Sequence, residues 1–176
     1  MARIFISYRR GDAPGHVGRL SDYFAEQWGW EVFRDREFPH GVEFRSSVES
    51  ELASADVVLA VIGDRWATAS GPAGEQRIDD PKDSVRHELE VALAKDVLVV
   101  PVLVGGASMP AAADLPPSLR ELSRRQAVEL TDRAWDSDLE RLVSAVSRRT
   151  DAPTEGWHAP GPPARIPNLH GLRVLR

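Results

Sequence analysis

Two stretches, "DVVLAVIG" (Asp56 to Gly63) and "DVLVVPVLVG" (Asp96 to Gly105), are apolar at nearly every position. A strand with one face in water alternates apolar and polar residues. Strands like these bury both faces, as in the middle of a parallel sheet covered by helices. Shorter strand patterns accompany them: "RIFISY" (Arg3 to Tyr8), "EVFRD" (Glu31 to Asp35) and a run near Gln126 to Leu130. Between them apolar residues recur at helical spacing. The sets are Val17, Leu20, Phe24 and Trp28; Phe44, Val48, Leu52 and Ala55; Val85, Leu89, Ala92 and Leu93; and Leu139, Leu142, Val143 and Val146. Ser137 and Glu140 read as a capping box for the last helix, and a short helix is expected near Pro117 to Leu122. Pro101 has no N–H for a ladder and predicts an irregularity in its strand. Strand–helix alternation implies βαβ crossovers. The expected fold is α/β, a five-stranded parallel flavodoxin-like sheet in the order 2-1-3-4-5 with helices on both faces. Ligands in such sheets bind outside the carboxyl ends of the strands, near the switch point between strands 1 and 3. Residues 1–149 form one domain. The remainder, 150–176, contains five prolines and three glycines and reads as an extended tail.

Composition removes several function classes. A net charge of −5 counts against a nucleic-acid-binding face. No cysteine is present, which excludes a disulfide framework, a thiol nucleophile and a cysteine–zinc site. The five histidines show no metal-ligand spacing. No apolar run is long enough for a membrane span, and the N-terminus lacks a signal-peptide pattern, so a cytoplasmic protein is expected. Of 22 basic residues only Lys82 and Lys95 are lysine, which points to a GC-rich, bacterial genome. No phosphate-loop or dinucleotide-fingerprint motif occurs.

Three elements remain as candidates for chemistry. "FISYRRGD" places Arg9, Arg10 and then Asp12 at the carboxyl end of strand 1, where guanidinium forks suit phosphate oxygens. A surface salt-bridge pair is the plainer reading. The loop "RDREFPHGVEF" (Arg34 to Phe44) follows strand 2, with Gly41 for a sharp turn and Phe38 and Phe44 for apolar surface. Third is the helix in "DDPKDSVRHELEVAL". At about 100° per residue, Glu88 falls roughly 60° from Val85, just off the apolar stripe. His87 points away from the stripe and Glu90 lies on the opposite flank. A flank glutamate usually snorkels to water; one facing the sheet's carboxyl edge would meet the other two elements. Asp80 before Pro81 reads as a helix cap, although Asp79, Asp80 and Asp83 are also candidate ligands.

"FISYRR", "FRDREFPHGVEF" and "DSVRHEL", in this order, resemble a Toll/interleukin-1 receptor (TIR) domain across about residues 1–148. The resemblance implies the flavodoxin-like fold and puts the glutamate of the catalytic TIR branch at Glu88. That branch cleaves NAD at the nicotinamide–ribose bond, giving nicotinamide and ADP-ribose or a cyclic relative. NAD is then a substrate; no cofactor and no metal is implied. The substrate-site candidates are Tyr8, Arg9, Arg10, Asp35, Phe38, Trp66 and Ser84. The Asp35–Phe44 loop looks like the family's BB loop, which mediates assembly and borders the substrate site; a head-to-tail contact through it would be heterologous and could propagate into a filament. Ser84 departs from the pattern: many catalytic members carry an aromatic four positions before the glutamate. Trp66, Phe38 or a neighbouring subunit could substitute, and packing beneath its own loop is the other reading of Trp66. The expected function is an NAD nucleosidase or cyclase in bacterial defence or signalling, with a TIR-bearing sensor or effector as a further partner. The alternative is a non-catalytic TIR–TIR scaffold. An enzyme acting on nucleic acid or another nucleotide is disfavoured by the acidic charge.

Overall fold

The computed structural model describes residues 2–34 and 44–150. The strands are β1 (Arg3–Tyr8), β2 (Glu31–Arg34), β3 (Val57–Ile62), β4 (Leu98–Val104) and β5 (Val128–Leu130). The helices are α1 (Pro14–Trp28), α2 (Phe44–Ser54), α3 (Ser84–Ala94) and α4 (Trp135–Thr150), with a 3-10 segment, Pro117–Arg124, before β5. Every strand pairing is parallel, and the order is β2-β1-β3-β4-β5, the order expected from the alternation of elements.

Period-two alternation sorts the core into two clusters. Ile4, Ile6 and Tyr8 of β1 join Val17, Leu20 and Phe24 of α1 and the inward face of α4. Phe5 joins Val48 and Leu52 of α2 and Val85, Leu89 and Ala92 of α3 on the other side. β3 is buried at all its positions, as a strand covered on both faces must be. Between α1 and β2 the chain turns at Gly29, whose φ of 59° favours glycine. The Gly29 N–H bonds Ala25 O and the Trp30 N–H bonds Phe24 O, both at 3.1 Å, and Trp30 stacks on Phe24.

Three local expectations are corrected. β4 runs through Pro101 in unbroken register, Pro101 opposite Ala60. Pairing of β4 with β5 begins only at Val102, opposite Val128, so Pro101 lies outside that ladder and a missing N–H is tolerated. α4 starts at Trp135, before the expected capping box. Asp138 instead reaches back to accept the Thr131 N–H and hydroxyl, each at 2.8 Å, while the Ser137 hydroxyl donates to Ala134 O. α3 is capped by Asp83, which accepts the Arg86 N–H at 3.0 Å, and not by Asp80. Asp80 closes the preceding turn by accepting the Lys82 N–H. The loop residues 35–43, with Asp35 and Phe38, and the expected tail beyond residue 150 lie outside the described residues.

Candidate functional site

The site grows from the same alternation. Ser7 and Arg9 follow Phe5 on the β1 face that looks toward α3. Two residues of strand advance about 6.6 Å, and five residues of helix advance about 7.5 Å. Because α3 runs back across β1, these steps nearly match. Ser7 therefore meets Glu88, and Arg9 meets Asp83.

Glu88 does not snorkel. It is 2% exposed, and Ser7, itself 1% exposed, donates its hydroxyl to Oε2 at 2.6 Å. A buried carboxylate without partners would cost several kcal/mol, so Ser7 helps make this position tenable. Glu90, on the other flank, has a different task. It accepts Arg86 Nε at 2.7 Å and Ser118 Oγ at 2.6 Å, tying α3 to the 3-10 segment. Burial pushes the Glu90 carboxyl up, but the Ser118 hydroxyl and the Arg86 guanidinium outweigh it and hold it below its ordinary 4.5.

Arg9 is 4% exposed. Its guanidinium grips Asp83 with Nη1 at 2.9 Å and Nη2 at 3.2 Å, and its Nε donates to Trp66 O at 2.6 Å. Arg77 Nε approaches the same carboxylate at 3.3 Å. Asp83 thus caps α3, fixes Arg9 and holds the β3–α3 loop. Asp12 makes a second staple, accepting the Gly63 N–H at 2.9 Å and the Arg65 N–H at 3.0 Å. Gly63 is required for that approach, since a Cβ there would lie 2.5 Å from Asp12 Oδ2. The Arg65 guanidinium donates back to Gly11 O.

Two cavities open along this edge. One, of ≈ 340 Å³, is lined in part by Asp64, Gln76, Ser108 and Asp114. The other, of ≈ 370 Å³, is lined in part by Arg9, Asp12, Arg65, Ser70 and Arg77. Thr68 belongs to both, and Glu88 lines neither.

Among the described residues, the substrate-site candidates from the sequence are dispersed. Arg9 carries an internal ion pair where a phosphate contact was expected. Arg10 is exposed just past β1. Tyr8 is buried in the α1/α4-side cluster, away from α3. Trp66 is fully buried, packed beneath its loop in the α2/α3-side cluster. Ser84 is half-buried at the start of α3, one turn before Glu88. Sequence reasoning missed Ser7 as the partner of Glu88 and the roles of Asp83 and Asp12. The period of β1 could have found Ser7, because residues 5, 7 and 9 must share a face. Nothing local could have paired Arg9 with Asp83.

The sequence matches the TIR-domain family over residues 4–143. The TIR domains of the activated Roq1 resistosome, which directly recognises the pathogen effector XopQ, superpose with a TM-score of 0.63 at 14% identity, covering 83% of this chain and 99% of theirs. A CMP N-glycosidase from Clostridium botulinum, BcmB, gives 0.48 at 16% identity, covering 81% of this chain and 98% of its own. A metazoan TIR-STING receptor from C. gigas, in complex with 2′,3′-cGAMP, gives 0.47 at 27% identity, covering 78% of this chain and 38% of its own. No curated protein matches. With the family matched across most of the chain and the sheet order it requires observed, the protein belongs to the TIR-domain family.

Proposed function

We propose that this TIR domain cleaves NAD at the nicotinamide–ribose bond, releasing nicotinamide and ADP-ribose or a cyclic ADP-ribose. One observation carries the reading: the carboxylate of Glu88 is withdrawn from water beside β1 and held there by Ser7. Nicotinamide departs with the bonding electron pair as a neutral base and needs no proton. The positive charge passes to the ribose, which becomes oxocarbenium-like. A carboxylate in a low-dielectric setting stabilises that charge far better than one in water. Water then adds at the anomeric carbon and loses a proton, or an adenine or ribose atom of the same molecule closes a ring. Tyr8, Arg10, Asp35, Phe38 and Ser84 remain the proposed substrate-site set; for Arg9 and Trp66 the role is to hold the wall that carries them.

Glu88 is 2% exposed, and on this reading the substrate reaches it by movement of the surrounding loops or with an adjoining copy. Self-association through the Asp35–Phe44 loop supplies that, and makes assembly part of the activity. A second reading, a TIR–TIR scaffold without catalysis, is favoured by the same 2% exposure of Glu88. No helix among the described residues is long and apolar enough to cross a membrane. The setting proposed is the bacterial cytoplasm, in defence or signalling, with a TIR-bearing sensor or effector as partner. Incubating the protein with NAD, dilute and concentrated, and identifying all products by mass tests the reading. Nicotinamide release that disappears in Glu88→Gln supports the enzyme. Intact NAD at every protein concentration leaves the scaffold.

A further inference from the structure

We propose that the two cavities sharing Thr68 form one binding groove for a nucleoside phosphate, with the phosphoryl group against Arg65 and Arg77 and the sugar hydroxyls against Asp64 and Asp114. The site is separate from Glu88.

Charge is the first reason. Asp83 offers one carboxylate to two guanidinium groups, Arg9 and Arg77, so one positive charge is left over. Arg65 donates to a carbonyl and makes no ion pair among the described residues. Asp12 also lines this part of the groove, but both of its oxygens already accept backbone N–H groups. Three guanidinium groups, Arg9, Arg65 and Arg77, against the carboxylates of Asp12 and Asp83 leave the ≈ 370 Å³ cavity with a surplus of one positive charge in a chain whose net charge is −5. Guanidinium forks with free donors match phosphoryl oxygens bidentately.

The second reason is the change of chemistry across Thr68. The neighbouring ≈ 340 Å³ cavity presents the carboxylates of Asp64 and Asp114, the amide of Gln76 and the hydroxyl of Ser108. Carboxylates only accept, so they suit the hydroxyls of a sugar and repel a second phosphate. Each volume falls within the range of small-molecule sites, about 300–1,000 Å³. A ligand spanning both is anionic at one end and hydroxyl-rich at the other.

Order is the third. The β3–α3 loop is built, not loose: Ser70 and Gln76 form an antiparallel bridge, and the Arg77 N–H bonds Ala69 O at 2.8 Å. Trp66 and Ile78, both fully buried, pin its two ends to the core. Arg65, Ser70 and Arg77 are positioned before a ligand arrives, which lowers the entropic cost of binding.

Calorimetric titration of the whole chain with ADP, with inorganic phosphate and with adenosine tests the groove. ADP is expected to bind, and Arg65→Glu to weaken it about tenfold or more. Asp114→Ala should weaken ADP but not phosphate. Both residues are exposed, so both variants should fold, Arg65→Glu losing the guanidinium bond to Gly11 O. Glu88→Gln should bind ADP as the wild type does, whatever its effect on NAD. The proposal is overturned if wild type fails to bind ADP at millimolar concentration, if a folded Arg65→Glu protein keeps full affinity, or if Glu88→Gln abolishes binding. ADP left undisturbed by saturating NAD supports a nucleotide site separate from Glu88; competitive displacement of ADP by NAD makes the groove part of the substrate site and overturns the proposal.

Discussion

Both faces of the sheet bury carboxylates near the start of a helix, but for different reasons. On the α1/α4 side, Asp138 is 2% exposed and finds its partners close by: Thr131 seven residues back, and Arg141 one turn ahead. It closes a turn. On the α2/α3 side, Asp83 pairs with Arg9 across 74 residues and Glu88 with Ser7 across 81. Asp83 still explains itself as a cap and an ion pair. Glu88 lies mid-helix, caps nothing, and faces the strand beside the sheet's switch point. A buried charge that local structure requires is a folding device; one that it does not require is where chemistry is sought.

Arg9→Ala is the severest test of this contrast. It strips the bidentate partner from a carboxylate 1% exposed, and breaking such a pair costs about 3–5 kcal/mol. Arg77 recovers part of it. Denaturant unfolding should register the loss, whereas Arg10→Ala should leave stability nearly intact and raise the KM for NAD. A stable Arg9→Ala protein with an altered KM would return Arg9 to the substrate.

Glu88→Gln comes next. It preserves shape and removes the stabilising charge, so NAD cleavage should fall on the order of 10²–10³ with little change in melting temperature. Unchanged turnover in the folded variant would make Glu88 as ordinary as Asp138.

Asp138→Asn should do the opposite, lowering stability by about 1–3 kcal/mol without touching turnover. It also carries a pH signature. Burial pushes the Asp138 carboxyl up, but the Thr131 N–H, the Thr131 hydroxyl and Arg141 outweigh it and hold it below 3.8. A depressed folded pKa means stability present above about 3.8 and lost as pH falls through the lower folded value. Melts from about pH 5 downward should show that loss in wild type and a flatter acid limb in Asp138→Asn.

The smallest effect concerns assembly. Specific activity should climb with protein concentration, and a charge replacing Val42 or Phe44 should blunt the climb. Phe44 opens α2, so a drop in melting temperature would mark it as a core anchor instead. Full activity per molecule in a sample that light scattering finds strictly monomeric would separate the Glu88 chemistry from self-association.

Sequence periodicity by itself determined the elements, their order and the sheet's topology, because two-sided apolar strands and amphipathic helices admit few arrangements. It also placed Glu88 beside the apolar stripe, since a helix has one angular step. What it left open was each polar group's partner. Arginine forks fit carboxylate and phosphate alike, so "FISYRR" could not tell Asp83 from a ligand. Asp80 and Asp83 are both plausible caps in "DDPKDS", and only the start of α3 at Ser84 chose between them. The Ser7–Glu88 and Arg9–Asp83 contacts exist because α3 crosses β1 with nearly matching rise. That distance is set by the packing of Phe5, Val85 and Leu89 between them, a property of the assembled core and of no single segment.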